Sequence, residues 1–382
     1  MKPYPFTVFA LALLLTISAC DNDEDKGNPD PCVTTSSVGA VIIDRYIVST
    51  PAEEENPDGR QSARAVSLLK RNNLSQERII NHFQGKNSIY ILNITQAEAE
   101  QLKADGEVLK IEPDKTVSLC TCLEVVEPRL ITWNVDKVGY GDGTGKTAWI
   151  LDSGVDLDHP DLNIDTELSR SFVPDFPTAE DGEGHGTHSA GIIGALNNDF
   201  GTLGVASGAT IIALKVLDDN GNGTVGYILD ALAYISEHGK AGDVINLSLS
   251  VDKDVSTILD DEVKALGSRG FFVSIAAGND AESANNFSPA RANAKNVYTV
   301  SAVDSLDRFA SFSNFGNDAV DFAAPGVRVP STYKQGLYAR ATGTSQAAPH
   351  VAGILLINNG KVNSVGKALS DPDGTADPLA HK

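Results

Sequence analysis

Three residues far apart in the chain have side chains suited to covalent chemistry: Asp152, His185 and Ser345. A serine hydroxyl is a weak nucleophile and needs a base beside it. A histidine near its ordinary pKa takes that proton and returns it, and a carboxylate holds the ring in one tautomer and stabilises its cation. Each residue also has a plainer reading. Asp152 opens Asp-Ser-Gly, a common turn. Ser345 is a favoured helix N-cap, and a lone histidine is more often structural. His185 and His188 are also spaced like metal ligands, but neither a Glu-x-x-His arrangement nor a cysteine partner accompanies them.

The surrounding stretches say which elements must carry these side chains. In "KTAWILDSGVDLDHPDL" the apolar run Ala148 to Leu151 predicts a buried strand that ends at Asp152. The C-terminal ends of parallel strands are where open sheets bind ligands. In "GEGHGTHSAGIIGAL" Gly184 and Gly186 leave little bulk beside His185, and the apolar pattern from Ala190 to Leu196 predicts a helix with His185 near its start. "ATGTSQAAPHVAG" places Ser345 at another helix N-terminus, where free N–H groups and the macrodipole favour negative charge. Pro349 lies close to the first turn of that helix, where a missing N–H costs least.

The order Asp, His, Ser excludes an α/β-hydrolase, which needs a G-x-S-x-G elbow and the order Ser, Asp, His. "LDSGVDLDHPDL", "GHGTHSAG" and "GTSQAAPHVAG" resemble the three active-site motifs of the subtilases, with a proteinase K-like character. The resemblance runs from about Trp133 to Lys382. It implies an α/β fold with a mostly parallel seven-stranded sheet and helices on both faces. It also implies Asp152 as orienting acid, His185 as general base and acid, and Ser345 as nucleophile.

Further motifs extend the resemblance. "VSIAAGND" implies Asn279 as the oxyanion donor and Ala276, Ala277 and Gly278 as substrate-binding residues beside it; read alone, Asn279 is a turn asparagine. "NLSLS" implies that Ser248, Leu249 and Ser250 wall the pocket for the residue before the scissile bond. Gly221, Asn222 and Gly223 imply the opposite edge, so that an extended peptide pairs between the two. "DDNGNG" also reads as a fragment of a calcium loop, but spaced acidic ligands and a final Glu are missing. Two positions depart from the pattern. Gln346 stands where the family usually has Met; it is expected to point away from the site and to remove an oxidation liability. Ser250 stands for a usual Gly and is expected to narrow the pocket.

Residues 41–118 read as a small α+β unit. "RYIVST" and "SIYILNI" alternate like strands, Thr95 and Glu98 form a capping box before "QAEAEQLKAD", and "EVLKIEPD" returns as a strand. In its context this unit resembles a ferredoxin-like subtilase propeptide, which implies an intramolecular inhibitor whose tail, "IEPDKTVSL", lies in the cleft. A linker, 119–130, then leads to a peptidase domain, 131–382, with processing expected between about Lys115 and Trp133.

The first nineteen residues have Lys2, an apolar run from Phe6 to Ile17 and then small residues, which suits an export signal. "ISAC" is similar to a bacterial lipobox and implies lipidation of Cys20; the plainer reading is ordinary cleavage near Ala19. Residues 20–40 contain an acidic, Pro- and Gly-bearing stretch, "DNDEDKGNPDP", that reads as a flexible tether. The expected location is the bacterial cell envelope, as an outer-membrane or surface lipoprotein, or the medium. Cys32, Cys120 and Cys122 are an odd set without an assigned pairing, and no cysteine follows them.

The chain has 382 residues, 41% of them hydrophobic, enough for a sizeable core, and a net charge of −21. That charge argues against a nucleic-acid partner, which would select for Lys and Arg. The sequence is thus expected to encode an exported, autoprocessed serine endopeptidase that acts on protein or peptide substrates. It is expected to be monomeric and to meet a membrane only through a lipid anchor. The chemistry needs no cofactor and no catalytic metal; structural calcium fits the family, at no assigned site. Two rivals stand beside this reading: a catalytically inactive subtilase fold used as a scaffold, and an esterase or peptide ligase using the same residues.

Overall fold

Alternating apolar runs and helix signals build two large sheets and two small ones in this computed structural model, which describes residues 39–52, 62–119, 122–127, 130–251 and 255–382. These all fall in one compact unit, Cys32–Lys382. The other unit, Met1–Pro31, lies outside the described residues, as do Cys20, Cys32 and Cys120.

The first sheet is built from β1 (Val41–Thr50), β2 (Ile79–Gln84), β3 (Ser88–Asn93) and β4 (Lys110–Ser118), with helices α1 (Ala63–Arg71) and α2 (Gln96–Lys103). Its strands run antiparallel in the order β4-β1-β3-β2. That order and the β-α-β-β-α-β sequence of elements make a ferredoxin-like layer. The Thr95–Glu98 capping box is present: Thr95 Oγ1 accepts from Glu98 N, and Glu98 accepts from Thr95 N at 2.7 Å. Val48, Leu68, Leu69, Tyr90, Leu92 and Leu102 fill a core of its own. Helix α1 and strand β2, which the sequence patterns do not reveal, complete it. Helix α1 starts where Ser62 Oγ caps Ala65 N.

The second sheet centres on β6 (Thr147–Asp152), flanked by β7 (Thr210–Lys215) and β9 (Val244–Leu247). It continues through β10 (Phe272–Ala276), β11 (Val297–Val303), β12 (Phe322–Pro325) and, after an excursion, β16 (Pro378–His381), all parallel. The seven-stranded expectation describes this parallel body, but the whole sheet has ten strands. Short strands Asn163–Ile164 and Arg170–Ser171 add beside β7, and β15 (Asn363–Lys367) pairs antiparallel with β16. These additions are short or exposed edge segments, so they lack the continuous apolar run that marks a strand buried on both faces.

Two apolar clusters cover the faces of this sheet. One packs around α5 (Val225–His238) and α6 (Thr257–Ser268), the other around α3 (Trp133–Val138), α4 (His185–Gly194) and α7 (Thr344–Ile357). The two sheets are joined through β8 (Asn222–Thr224), which adds to the free edge of β4 as a fifth strand. Two carboxylates of β4 meet helix N-termini of the larger domain. Asp114 accepts from Gly226 N at 3.1 Å in the first turn of α5, and Glu112 accepts from Ser256 Oγ at the cap of α6. Lys110 pairs with Asp261 at 2.6 Å.

Candidate active site

Asp152 is the last residue of β6, and the strands on both sides hold that end in place. Helix α4 begins at His185 with its backbone tight against this strand end. A Cβ on Gly186 would lie 1.9 Å from Gly154 O and 3.0 Å from Asp152 Cβ. A Cβ on Gly184 would strike the Tyr333 ring at 1.9 Å, and Gly184 also has φ of +114°. The two glycines are therefore what allow the imidazole to reach the carboxylate: His185 Nδ1 lies 2.8 and 2.9 Å from the two oxygens of Asp152, with both side chains fully buried.

A helix start leaves N–H groups without intrahelical partners. In α4 acidic side chains and a serine take them. Asp181 accepts from Gly184 N at 2.7 Å and Thr187 N at 2.9 Å, Glu183 accepts from His185 N at 2.7 Å, and Ser153 Oγ accepts from Gly186 N at 3.1 Å. Burial pulls the pKa of His185 down. Asp152, with Glu183 and Asp181 behind it, more than offsets that, and the net shift is upward. Burial also raises the Glu183 carboxyl. Asp181 and Glu183 escape a motif reading, although both sit within four residues of His185.

His188 is not part of a metal pair with His185. Its Nε2 donates to the carbonyls of Val329 and Ala339, at 3.0 and 3.2 Å, in the hairpin of β13 (Val329–Tyr333) and β14 (Leu337–Thr342). Burial drives its pKa down to about 3, so it ties helix to hairpin as a neutral ring. "DDNGNG" is a plain turn: Asp218 accepts from Asn220 N and Asn222 N at 2.9 Å, and Asp219 pairs with Lys215. Among the described residues, no group of three or more His, Cys, Asp or Glu is arranged to hold a metal ion.

Helix α7 opens at Thr344, so Ser345 stands in its first turn. Pro349, inside this helix, has no N–H to give the Ser345 carbonyl. Ser248 supplies the missing donor: its Oγ donates to Ser345 O at 2.8 Å and accepts from Asn246 Nδ2 at 2.8 Å. The side chain of Ser248 thus supports the Ser345 backbone. Ser248→Ala strands that buried carbonyl and is expected to cost about 1–3 kcal/mol of stability. Urea denaturation in a Ser345→Ala background, which stops self-digestion, measures this; a change below about 0.5 kcal/mol would rule the support out.

Asn279 follows the turn Ala276-Ala277-Gly278 at the end of β10. Thr344 orients it: Thr344 N and Thr344 Oγ1 both donate to Asn279 Oδ1, at 2.8 and 2.9 Å, while Gly278 N donates to Thr344 Oγ1 at 3.0 Å. The backbone donor forces the amide oxygen to that side and the Nδ2 group to the other. Gly343 marks where the groups converge. A Cβ built there would lie 2.9 Å from Ser345 Oγ, 3.0 Å from Gln346 Oε1 and 3.4 Å from Asn279 Nδ2. Thr344 adjoins Ser345 in the motif and was there to be read; Asn314, whose Nδ2 ties down Ala277 O at 3.0 Å, carries no local signal.

Gln346 does not point away. Its side chain is fully buried beside the nucleophile candidate, and Ser345 Oγ donates to Gln346 Oε1 at 3.1 Å. The first turn of α7 aims the residue after Ser345 back across Gly343, whose lack of a side chain leaves the room.

The chain's own tail lies between the two candidate substrate edges. Thr116, Val117 and Ser118 pair antiparallel with Thr224, Gly223 and Asn222, and Leu119 N donates to Gly221 O at 3.0 Å. On the other side Ser118 bridges to Ser250. Val117 is buried in one apolar cluster with Leu217, Val225 and Leu249. Beyond residues 120 and 121, strand β5 (Cys122–Val125) pairs antiparallel with Thr342–Ala339 of β14, and Thr342 lies three residues before Ser345.

Residues 143–365 match the subtilase family, and residues 45–120 match the peptidase inhibitor I9 family. The chain is 34% identical over 364 residues to an alkaline protease of Alkalihalobacillus alcalophilus, covering 92% of this chain and 87% of that one. It is 44% identical over 211 residues to Subtilisin BL of Lederbergia lenta, covering 55% and 75% respectively. The structure resembles that of a cold-adapted subtilisin-like serine proteinase with a TM-score of 0.59 and 30% identity, over 66% of this chain and 98% of that one.

Proposed function

This chain belongs to the subtilase family, and from that premise we propose that it is a precursor which cuts itself and then cleaves other proteins through Asp152, His185 and Ser345. It is a subtilisin-like serine endopeptidase preceded by an I9-type propeptide domain. The observation that carries the finer reading is the tail of β4, held as an extended strand between Gly221–Thr224 and Ser250. A protein substrate occupies the same edges by backbone pairing. Its apolar side chains fill the places of Val117 and Leu119.

The chemistry follows from the geometry. Ser345 Oγ attacks the carbonyl carbon as its proton passes to His185 Nε2, while Asp152 holds Nδ1–H and stabilises the imidazolium. The oxyanion takes hydrogen bonds from Asn279 Nδ2 and Ser345 N. Collapse expels the amine, which leaves with the proton from His185. Water, deprotonated by the same ring, then releases the acyl group and restores Ser345. The same cycle acts first on the chain itself. Its cut falls between Leu119 and Cys122, since both flanks are already paired and only two residues separate them.

The protein travels as an exported monomer. Cys20 carries the lipid, and residues 20–40 tether the precursor to the envelope; after the cut between Leu119 and Cys122 the lipid stays with the propeptide fragment. Of these positions only Gly39 and Ala40 are described, and they pair with Thr116. No described helix is long and apolar enough to cross a membrane.

Fluorophosphonate labelling of the mature enzyme, with casein and an ester offered as substrates, tests the reading. Labelling at Ser345 with casein cleavage is expected. Labelling with ester turnover alone makes it an esterase, and no labelling of folded protein makes it a scaffold.

A further inference from the structure

Gln346 introduces a competitor for the proton that the base must take. It is fully buried, and its Oε1 accepts from Ser345 Oγ at 3.1 Å. His185 Nε2, the atom that must receive this proton, is buried without a hydrogen-bond partner among the described residues, although Nδ1 is bound to Asp152. Gln346 Nε2 is likewise buried without a hydrogen-bond partner among the described residues. A carboxamide oxygen accepts a hydrogen bond but is no base near neutral pH. A hydroxyl that donates to it is not activated.

We propose that Gln346 is a positioning residue that holds the Ser345 hydroxyl in a resting orientation, so that breaking the Ser345–Gln346 hydrogen bond precedes every acylation. The inference rests on Ser345 and His185 acting as nucleophile and base. Acylation is then slower than the triad alone allows, by the equilibrium between the two acceptors. One net hydrogen bond corresponds to a factor of roughly 2–12 in rate. Substrate binding is unaffected, because the peptide is held along Gly221–Thr224 and Ser250.

The test compares mature wild type, Gln346→Met and Gln346→Glu. Methionine has similar length and no strong acceptor; glutamate is a stronger acceptor and adds a charge near His185. The readouts are the second-order rate of fluorophosphonate labelling, the pre-steady-state acylation rate and KM for a peptide ester, and the acid limb of kcat/KM. Gln346→Met is expected to label and acylate roughly 2–12 times faster with KM unchanged. Gln346→Glu is expected to acylate more slowly and to move the acid limb to higher pH. A packing role alone would shift the melting temperature and leave the labelling rate of Gln346→Met where it is; the acid-limb shift of Gln346→Glu follows from its added charge in either case. Gln346→Met at or below the wild-type rate overturns the proposal, since the amide would then be assisting Ser345. Should Gln346→Met fail to fold, Gln346→Glu decides: slower acylation supports the proposal, and equal or faster acylation overturns it. Wild type that never labels defeats the nucleophile assignment itself, which is a separate outcome.

Discussion

Ser345→Ala leaves the precursor in one piece. The wild-type chain, expressed from residue 21, is expected to split between Leu119 and Cys122 into a propeptide fragment and a peptidase domain, while the alanine variant keeps its full mass. The reason lies in how the tail is held. Thr116–Ser118 pair with Asn222–Thr224, Ser118 bridges to Ser250, and Cys122–Val125 pair with β14 on the far side. The flanks of the bond to be cut are thus held before any encounter with another molecule, so the expected step is intramolecular. Removing the hydroxyl takes away the nucleophile but none of these backbone pairs, so the variant should fold and stay whole. Loss of the nucleophile costs about 10⁶ in kcat, a magnitude known from subtilisin itself. Intact mass spectrometry with N-terminal sequencing checks both chains. A split that persists in the alanine variant would mean that another protease does the processing, and the self-cutting reading would fall.

Asn279→Ala should lower kcat by about 10²–10³, again the magnitude known for the corresponding donor of subtilisin. Its Oδ1 accepts from Thr344, which turns its Nδ2 group to the other side, toward the position assigned above to the oxyanion. The interaction forms fully only in the transition state, so KM should change little. Leu is a poor control here because it changes shape; Asn279→Asp keeps the shape and the contact surface but replaces the donor by an acceptor, and should be at least as damaging. Steady-state kinetics on a peptide substrate separates the outcomes. A raised KM at unchanged kcat would assign Asn279 to binding instead.

Much of this site could be read along the chain because its parts are locally encoded. Asp152 ends an apolar run, and such a run is a buried strand wherever it lies. His185 sits between two glycines ahead of an apolar helix, and those glycines are required by contacts with Gly154 and Tyr333. Ser345 precedes a long apolar helix and follows Gly343. These patterns need only the period of the backbone and the bulk of adjacent side chains. The ferredoxin-like layer was half legible for the same reason: its alternating strands and capping box are local, whereas α1 and β2 have weaker patterns and form against the core around Leu68 and Tyr90.

What tertiary structure alone decided involves partners distant in sequence. Ser248 reaches the Ser345 carbonyl across ninety-seven positions because Pro349 leaves that group unserved. Asn279 is turned by Thr344, sixty-five residues away. The sheet gains its tenth strand at a polar, exposed edge that has no burial to imprint on the sequence. The orientation of Gln346 depends on the space that Gly343 leaves and on its Oε1 accepting from the Ser345 hydroxyl. Residue types and local periodicity determined which side chains this protein brings to its chemistry. Only the packing of distant segments decided what each of them donates to, accepts from and leaves exposed to a substrate, because a hydrogen bond is set by the meeting of two surfaces and not by either sequence alone.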